Sequence, residues 1–187
     1  MAKLLQENAH WLIVDVETTG LTHEDALTEI AALRVSYGHI TGTFHTLINP
    51  QQAIPEVVTR ITGIHEAMVA DAPPVKIAIR DFIQWLTQQG TTNHPDPVFV
   101  AHNVPFDLGF IQRAAQKYEM TWPELRTIDT LELSRALLPK PRVAHHRLGT
   151  VASYLRIGEG QRHRALQDAH MTWRVLEKFI EMCSDKD

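Results

Sequence analysis

The sequence predicts an α/β fold in which a mixed β-sheet is flanked by helices. Residues 10–16 form a nearly continuous apolar run, as expected for a strand that is buried on both faces. Residues 27–37 and 39–48 form two further strand-like segments, and Gly38 between them indicates a tight hairpin turn. After this hairpin, short apolar strands alternate with segments of helical periodicity. That order is typical of a sheet covered by helices.

The remaining segments are assigned from apolar spacing and from the positions of Pro, Gly and Asn. Residues 49–74 contain four prolines and are predicted to form loops and short helix. Asn103 is predicted to cap a helix that holds Pro105 in its first turn. Strands are predicted over 98–101 and 127–131, and a loop over 139–147. Helices are predicted over 75–89, 103–117, 147–155 and 164–182. A further helix follows the strand at 127–131 and ends near residue 138.

Length and composition indicate one domain over residues 1–187 with a core of about 10–182. The chain is 44% hydrophobic, yet no apolar stretch reaches the ~18 residues that a membrane span needs, so no membrane association is expected. The first ten residues are too short and polar for a signal peptide. Cys183 is the single cysteine, which excludes an internal disulfide and a cysteine-based zinc site. We expect a cytoplasmic protein.

The formal net charge of −4 provides no overall attraction to nucleic acid, which is a polyanion. A nucleic-acid-binding function would therefore require locally basic patches or bound metal cations. The 11 histidines are a high count for this length. Most would be solvated, but a few could carry acid–base chemistry.

A pair of carboxylates interrupts the first apolar strand. Asp15 and Glu17 lie two residues apart, so on a strand both point to the same face. Two carboxylates about 4 Å apart repel each other by roughly 4 kcal/mol at an effective dielectric constant of 20. Hydration, protonation or a divalent cation must relieve this repulsion. The alternative is that Asp15 caps the following turn and Glu17 is solvated.

Two later segments carry a similar signal. In "AHNVPFDLGF" a buried strand is followed by Asp107 in the first turns of a helix, where favourable helix-terminus electrostatics is an alternative explanation. In "HRALQDAH" His163 lies five residues before Asp168. The two would share no helix face unless His163 precedes the helix and folds back. Each signal alone is also compatible with a solvated surface residue.

The three segments together occur in the order of a known family. With DxE in the first strand, Asp in HNxxFD and then HxAxxDA, the chain resembles the DnaQ-like 3′–5′ exonucleases of the DEDDh type. Within that family it is close to the proofreading (epsilon) subunit of bacterial DNA polymerase III and to PolC-type exonuclease domains. The matching segments, which span roughly residues 11–177, are VDVETTGL, ITGIHEAMV, VAHNVPFDLGFI, IDTLELSRAL, HRLGTVASYL and HRALQDAHMTWRVL.

The resemblance implies an RNase H-like fold, a five-stranded mixed β-sheet flanked by helices on both faces, with the DxE strand at its centre. It implies that Asp15, Glu17 and Asp168 bind a first divalent cation. Asp15 would bridge to a second cation, with Asp107 contributing directly or through water. A set of carboxylate ligands suits Mg²⁺ or Mn²⁺, and paired metals of this kind lie ~3.5–4 Å apart.

The resemblance also implies a catalytic base and a substrate pocket. His163 would activate the attacking water, because an imidazole can exchange protons near neutral pH. The tyrosine variant of the family is disfavoured, since His occupies the position five before Asp168. The expected contacts with the 3′-terminal nucleotide are Thr18, Thr19, Gly20, Leu21 and Ile64. Further candidates are His65, Asn103 and Phe106, for which a surface histidine, a helix cap and a core aromatic are the alternatives. A basic group is expected either to hold the strand or only to solvate loops: Lys140, Arg142, Arg147, Arg162 and Arg164.

Three functions follow from this interpretation. The first is a metal-dependent 3′–5′ exonuclease that releases nucleoside 5′-monophosphates from DNA with a free 3′ end, single-stranded DNA in the first place, in proofreading or end trimming. The second is an RNA exonuclease of the same superfamily, which differs in tolerating a terminal 2′-hydroxyl. The third is a catalytically inactive nucleic-acid-binding module, which the intact set of five residues argues against. The overall resemblance favours DNA.

The sequence leaves the partners and assembly open. A DNA polymerase is a candidate partner, but the C-terminal segment that tethers family members to a polymerase is not seen here. Both a free-standing exonuclease and a chain whose tail has been removed stay open. No feature predicts the oligomeric state.

Overall fold

The computed structural model of the protein describes residues 10–87, 96–138, 143–158 and 163–184, which form five strands and seven helices. The strands are β1 (His10–Thr18), β2 (Leu27–Ser36), β3 (His39–Leu47), β4 (Val98–Ala101) and β5 (Thr127–Asp129). The helices are α1 (Glu56–Thr62), α2 (Glu66–Val69), α3 (Val75–Thr87), α4 (Val104–Lys117), α5 (Thr130–Leu137), α6 (Leu148–Tyr154) and α7 (Ala165–Ser184).

The five strands form one mixed sheet in the order β3-β2-β1-β4-β5. β1 is central, antiparallel to β2 and parallel to β4. Because both faces of a central strand are covered, its sequence is apolar in almost every position. The predicted five-stranded mixed sheet with the DxE strand in the middle is confirmed.

The two faces of β1 contact two separate cores. Trp11 and Ile13 point to the layer that contains α7, where they join a cluster that includes Phe179. Leu12 and Val14 point to the opposite layer, which contains α3 and α4. The period of two along a strand produces this division. It places Asp15 and Glu17 on the α7 side of the sheet.

The predicted hairpin is present between β2 and β3. Its turn holds Tyr37 and Gly38 at φ values of 50° and 80°. Two successive residues at positive φ are typical of the type I′ turn, whose twist matches that of the paired strands. The turn fixes the register in which β2 pairs with β3, with Ser36 opposite His39.

Most predicted limits hold within a residue or two, and β1 shows the clearest difference. It was expected over residues 10–16 but continues to Thr18, because β2 keeps pairing with it through Glu17 and Thr18. The helix predicted over 75–89 is described to Thr87, and residues 88–95 lie outside the described part of the chain. Of the loop predicted over 139–147, only residues 143–147 are described. Across the described ranges, no helix is both long and apolar enough to cross a bilayer.

Candidate active site

Three of the predicted carboxylates converge at one end of β1. Asp15 and Glu17 project from the strand, and Asp168 projects from the first turn of α7. One carboxylate oxygen from each residue lies within 4.8 Å of the others. The convergence follows from the fold, because α7 packs on the face of β1 to which Asp15 and Glu17 point. Three carboxylates at this spacing form a candidate site for a hard divalent cation.

The electrostatics of this cluster favour a bound cation or bound protons. Burial raises the pKa of Asp15, and the nearby charges of Asp107, Asp168 and Glu17 raise it further. Burial and then Asp168 raise the pKa of Glu17 to about 8. Without a counter-charge, these acids therefore retain protons at a pH where ordinary carboxylates are ionised. An oxygen-coordinated divalent cation would remove that penalty.

Asp107 lies behind this cluster and outside the group of three. Its side chain is 3% exposed, and its Oδ1 accepts a hydrogen bond of 3.1 Å from the N–H of Val16. Burial raises its pKa, although the Val16 hydrogen bond acts in the opposite direction. After burial, Asp107 contributes most to the raised pKa of Asp15. The structure thus brings Asp107 near Asp15 while tying its carboxylate to the backbone of β1.

The helix that carries Asp107 begins differently from the prediction. Asn103 occupies the cap position of α4 at a φ of 91°, but its side chain makes no capping hydrogen bond. Instead, the carboxylate of Asp129 accepts the N–H groups of Asn103 and Val104, each at 3.0 Å. Asp129 also accepts the N–H of Leu131 at 2.8 Å. One acid at the end of β5 therefore caps both α4 and α5, which is possible because β4 and β5 are parallel neighbours.

His163 precedes α7 and folds back towards Asp168. Its φ is 63°, a left-handed conformation that is uncommon outside glycine. In this conformation its N–H donates a hydrogen bond of 3.0 Å to Oδ2 of Asp168. The His163 side chain is exposed. From the sequence, His163 was required to precede the helix if it was to approach Asp168. The structure places His163 before α7, as required.

The loop after β1 is rigid at its base and exposed at its tip. The Thr19 hydroxyl accepts hydrogen bonds from the Ala26 N–H at 3.0 Å and from Gln52 Nε2 at 2.6 Å. At Gly20, a β-carbon would lie 2.5 Å from the carboxylate oxygens of Asp25. Leu21 follows with 84% of its surface exposed. Thr18 is buried and donates its hydroxyl to the Gly20 carbonyl.

The other expected substrate contacts differ in accessibility. His65 and Asn103 are exposed, and Phe106 is half-buried with its ring centre 5.0 Å from that of Phe110. Ile64 is completely buried and packs with Ile54. Ile64 therefore presents no side-chain surface in this conformation, whereas the other three do.

A buried acid that the sequence analysis did not single out lies beside the site. Glu29 is on β2, directly opposite Glu17 in the antiparallel register, and is 0% exposed. Arg164 donates to it from Nη2 at 2.8 Å and from Nε at 3.1 Å. Burial alone would raise the pKa of Glu29, but hydrogen bonds from Arg164, His45 and the Ala165 N–H outweigh burial and lower it. The available signal was a single acidic residue inside the largely apolar strand of residues 27–36.

This ion pair corrects the expected role of Arg164. It was grouped with residues expected either to hold a nucleic-acid strand or only to solvate loops, but its side chain forms an ion pair with the buried Glu29. Arg147 is exposed at the start of α6. Lys140, Arg142 and Arg162 lie outside the described residues.

Comparison with known proteins adds independent information. A family model described as "Exonuclease" (RNase_T) matches residues 12–176. A DNA polymerase III PolC-type of Bacillus subtilis is 37% identical over 186 residues, covering 98% of this chain and 12% of that protein. The corresponding protein of Oceanobacillus iheyensis is 36% identical over 178 residues, covering 95% and 12%. The chain thus spans about one eighth of the length of these curated relatives.

Solved structures have the same fold. The structure of exonuclease X in complex with 5′ overhanging duplex DNA has a TM-score of 0.68 at 25% identity and covers 92% of each chain. The nuclease domain of 3′hExo, a DEDDh family member bound to rAMP, has a TM-score of 0.78 at 16% identity, covering 96% of this chain and 94% of that one. The second likeness concerns the fold alone.

Proposed function

Since the chain belongs to the RNase T exonuclease family, as a DnaQ-like enzyme of the DEDDh type, we propose that it is a 3′–5′ exonuclease acting on single-stranded DNA. The observation that carries this proposal is the convergence of Asp15, Glu17 and Asp168 within 4.8 Å, with Asp107 buried behind them. For phosphodiester cleavage to occur at this site, the negatively charged scissile phosphate must approach these acidic residues. Bound cations make such an approach favourable.

The proposed ligands follow the geometry of the cluster. Asp15, Glu17 and Asp168 would hold one divalent cation, and Asp15 together with Asp107 would hold a second. When bound, Mg²⁺ or Mn²⁺ would stabilise the charge that develops on the phosphate oxygens. The all-oxygen donor set supports these two metals over zinc. Use of a divalent metal agrees with the family, and its identity is part of the proposal.

His163 would act as the general base. Its exposed ring can reach solvent, and its backbone N–H donates a hydrogen bond of 3.0 Å to Asp168. His163 is therefore both the proposed base and a hydrogen-bond partner of a proposed metal ligand. The imidazole would take the proton of the attacking water as the water oxygen bonds to phosphorus. The bond between phosphorus and the 3′ oxygen of the penultimate nucleotide would break. The product would be a nucleoside 5′-monophosphate.

The loop after β1 would hold the last nucleotide. Thr18, Thr19 and Gly20 form its rigid base, and Leu21 is exposed at its tip. An exposed apolar side chain beside a metal site can pack against a nucleobase, because every base offers an apolar face. His65, Asn103 and Phe106 are accessible enough to contribute, and Ile64 would require a local rearrangement.

We favour DNA as the substrate in this proposal because the PolC-type relatives are named as DNA polymerases and the exonuclease X structure contains DNA. RNA is the alternative, since structures at 16% identity include one bound to rAMP and one with a histone mRNA stem-loop. A DNA polymerase is a proposed partner on the same grounds. This chain corresponds to only 12% of those polymerases, so that association needs its own test.

The deciding experiment uses matched 5′-labelled DNA and RNA oligonucleotides with Mg²⁺ or Mn²⁺. Controls are EDTA and Asp15→Ala. A ladder that shortens from the 3′ end and disappears in both controls supports the proposal, and the faster substrate identifies the nucleic acid. Binding of both strands without shortening would instead indicate an inactive binding module.

A further inference from the structure

Glu29 has no role in the proposed chemistry, although it lies next to residues that do have one. It is fully buried and directly opposite Glu17 across the β1–β2 pairing. A buried carboxylate without partners is strongly unfavourable, so its partners are informative. Hydrogen bonds reach Glu29 from three residues: from Arg164, from the Ala165 N–H at 2.9 Å and from His45 Nε2 at 2.7 Å.

Two of these partners lie where α7 begins. Arg164 and Ala165 lie between His163, which has a positive φ, and Asp168. Glu29 therefore links the start of α7 to the sheet, although Glu29 and Arg164 are 135 residues apart in the sequence. The tie is bidentate, with the Arg164 Nη2 and Nε both donating to the carboxylate of Glu29. Such a fork restricts orientation as well as distance.

The pair also balances charge at the site. Glu29 is a fourth carboxylate close to the group of three, and its charge contributes to the raised pKa values of Asp15 and Glu17. Arg164 neutralises that charge, and its own charge acts in the opposite direction on Glu17. The pair therefore adds less negative charge beside the cluster than Glu29 alone would.

We propose that the Glu29–Arg164 pair is a positioning device, which holds His163 and Asp168 in register with Asp15 and Glu17. This inference rests on the proposed exonuclease function. Neither residue touches the reacting atoms. Removing the pair should loosen the geometry of the base and of one metal ligand, and leave the loop that holds the nucleotide in place.

The test uses the full chain and four variants: Glu29→Gln, Arg164→Met, Arg164→Lys and the double variant Glu29→Gln/Arg164→Met. Arg174→Met is the matched control, because Arg174 lies on α7, which begins directly after Arg164, and its exposed side chain forms an ion pair with Glu177. Arg164→Lys retains the positive charge without the fork, so it tests orientation separately from neutralisation. It is also the mildest change if the others fail to fold. Folding is checked by circular dichroism and urea unfolding.

Two readouts are needed. Steady-state kinetics on a DNA oligonucleotide separates kcat from KM, and calorimetry with Mn²⁺ measures the metal Kd without turnover. We expect kcat to fall about tenfold or more in Glu29→Gln and Arg164→Met, with a weaker Mn²⁺ affinity and an oligonucleotide KM within about threefold of wild type. Arg164→Lys should recover part of the loss. The double variant should be no worse than the worse single variant, because both remove the same interaction.

Each outcome bears on the pair. A loss of kcat or of Mn²⁺ affinity in folded variants, with Arg174→Met unchanged, supports the positioning role. Unchanged kcat and Mn²⁺ affinity in folded Arg164→Met or Arg164→Lys overturn it, even if the variants are less stable. If wild-type protein degrades neither DNA nor RNA, the proposed function fails. The Mn²⁺ affinities then still decide the role of the pair.

Discussion

The N–H of Val16 donates a hydrogen bond of 3.1 Å to Oδ1 of Asp107, although the two residues are 91 positions apart in the chain. The bond is buried and joins the central strand to α4. Val16 lies between Asp15 and Glu17 in the sequence. Asp107 therefore combines an observed role, as an acceptor for the backbone, with a proposed one, as a charge near the candidate cation site.

Two substitutions of Asp107 should separate these roles. In Asp107→Asn the side-chain oxygen can still accept the Val16 N–H, so we expect the free energy of unfolding to stay within about 1 kcal/mol of wild type. Turnover should fall at least about a hundredfold because the charge is lost. Asp107→Ala should lose turnover and also about 1–3 kcal/mol of stability, because a buried N–H is left unpaired.

Urea unfolding in EDTA and single-turnover cleavage would measure the two effects. Asp107→Asn with wild-type turnover would remove Asp107 from the proposed metal site. Equal stability of the Asn and Ala variants would show that the hydrogen bond contributes little.

Replacing His163 with alanine should impair chemistry but not metal binding. The variant retains the backbone N–H that donates to Asp168, so the ligand stays held. We expect turnover to fall by about 10²–10⁴-fold, the usual contribution of a general base, with the Mn²⁺ Kd within about threefold. His145→Ala is a suitable control, because His145 is exposed and bonded to Thr150 on another element. A tenfold or greater loss of Mn²⁺ affinity in His163→Ala would mean that the ring itself supports the metal site.

Stability without metal should decrease as the pH rises. The pKa of Glu17 is raised from 4.5 to about 8 in the folded protein, mainly by burial. The folded state therefore binds more protons than the unfolded state between these values, and the free energy of unfolding falls across this window. Asp15 acts in the same direction, whereas Glu29, whose pKa is lowered, affects stability only under more acidic conditions.

This pH dependence can be measured by urea unfolding at pH 5.5 and pH 8 in EDTA and in Mn²⁺. We expect a loss of a few kcal/mol at pH 8 in EDTA. Mn²⁺ should restore most of it, since a ligand that binds the folded state stabilises it. Glu17→Gln should flatten the profile in EDTA. A flat wild-type profile would contradict the electrostatic description of the cluster.

The loop after β1 offers a contrast between neighbouring residues. Leu21 is 84% exposed, so Leu21→Ala should change stability by less than about 0.5 kcal/mol while raising the KM for the oligonucleotide severalfold. Gly20→Ala, in contrast, should reduce stability, because the added β-carbon would lie 2.5 Å from the Asp25 carboxylate. That carboxylate accepts hydrogen bonds from the N–H and the hydroxyl of Thr22, so moving it away would weaken both bonds. Thermal unfolding and initial-rate kinetics test both variants, and an unchanged KM for Leu21→Ala would argue against a contact with the terminal base.

The main elements could be predicted because their signals are local. The apolar run around Asp15, the turn at Gly38 and the helical spacing before Asp107 each depend on a few neighbouring residues. Alternation along a strand is enough to place Asp15 and Glu17 on one face. The order of the acidic segments then indicated that Asp168 belongs with them, and the structure brings these three together.

What the sequence by itself determined was therefore the succession of strands and helices and the acids that lie at their ends. Only the tertiary structure decided which partner each polar group takes and which apolar side chains of the loops are buried. Asp129 rather than Asn103 caps α4, Arg164 pairs with Glu29, and Ile64 is buried. The physical reason is that a periodic pattern reports which face of an element is apolar. A buried hydrogen bond or ion pair depends on which distant segments meet, and that is set only when the sheet and its helices pack together.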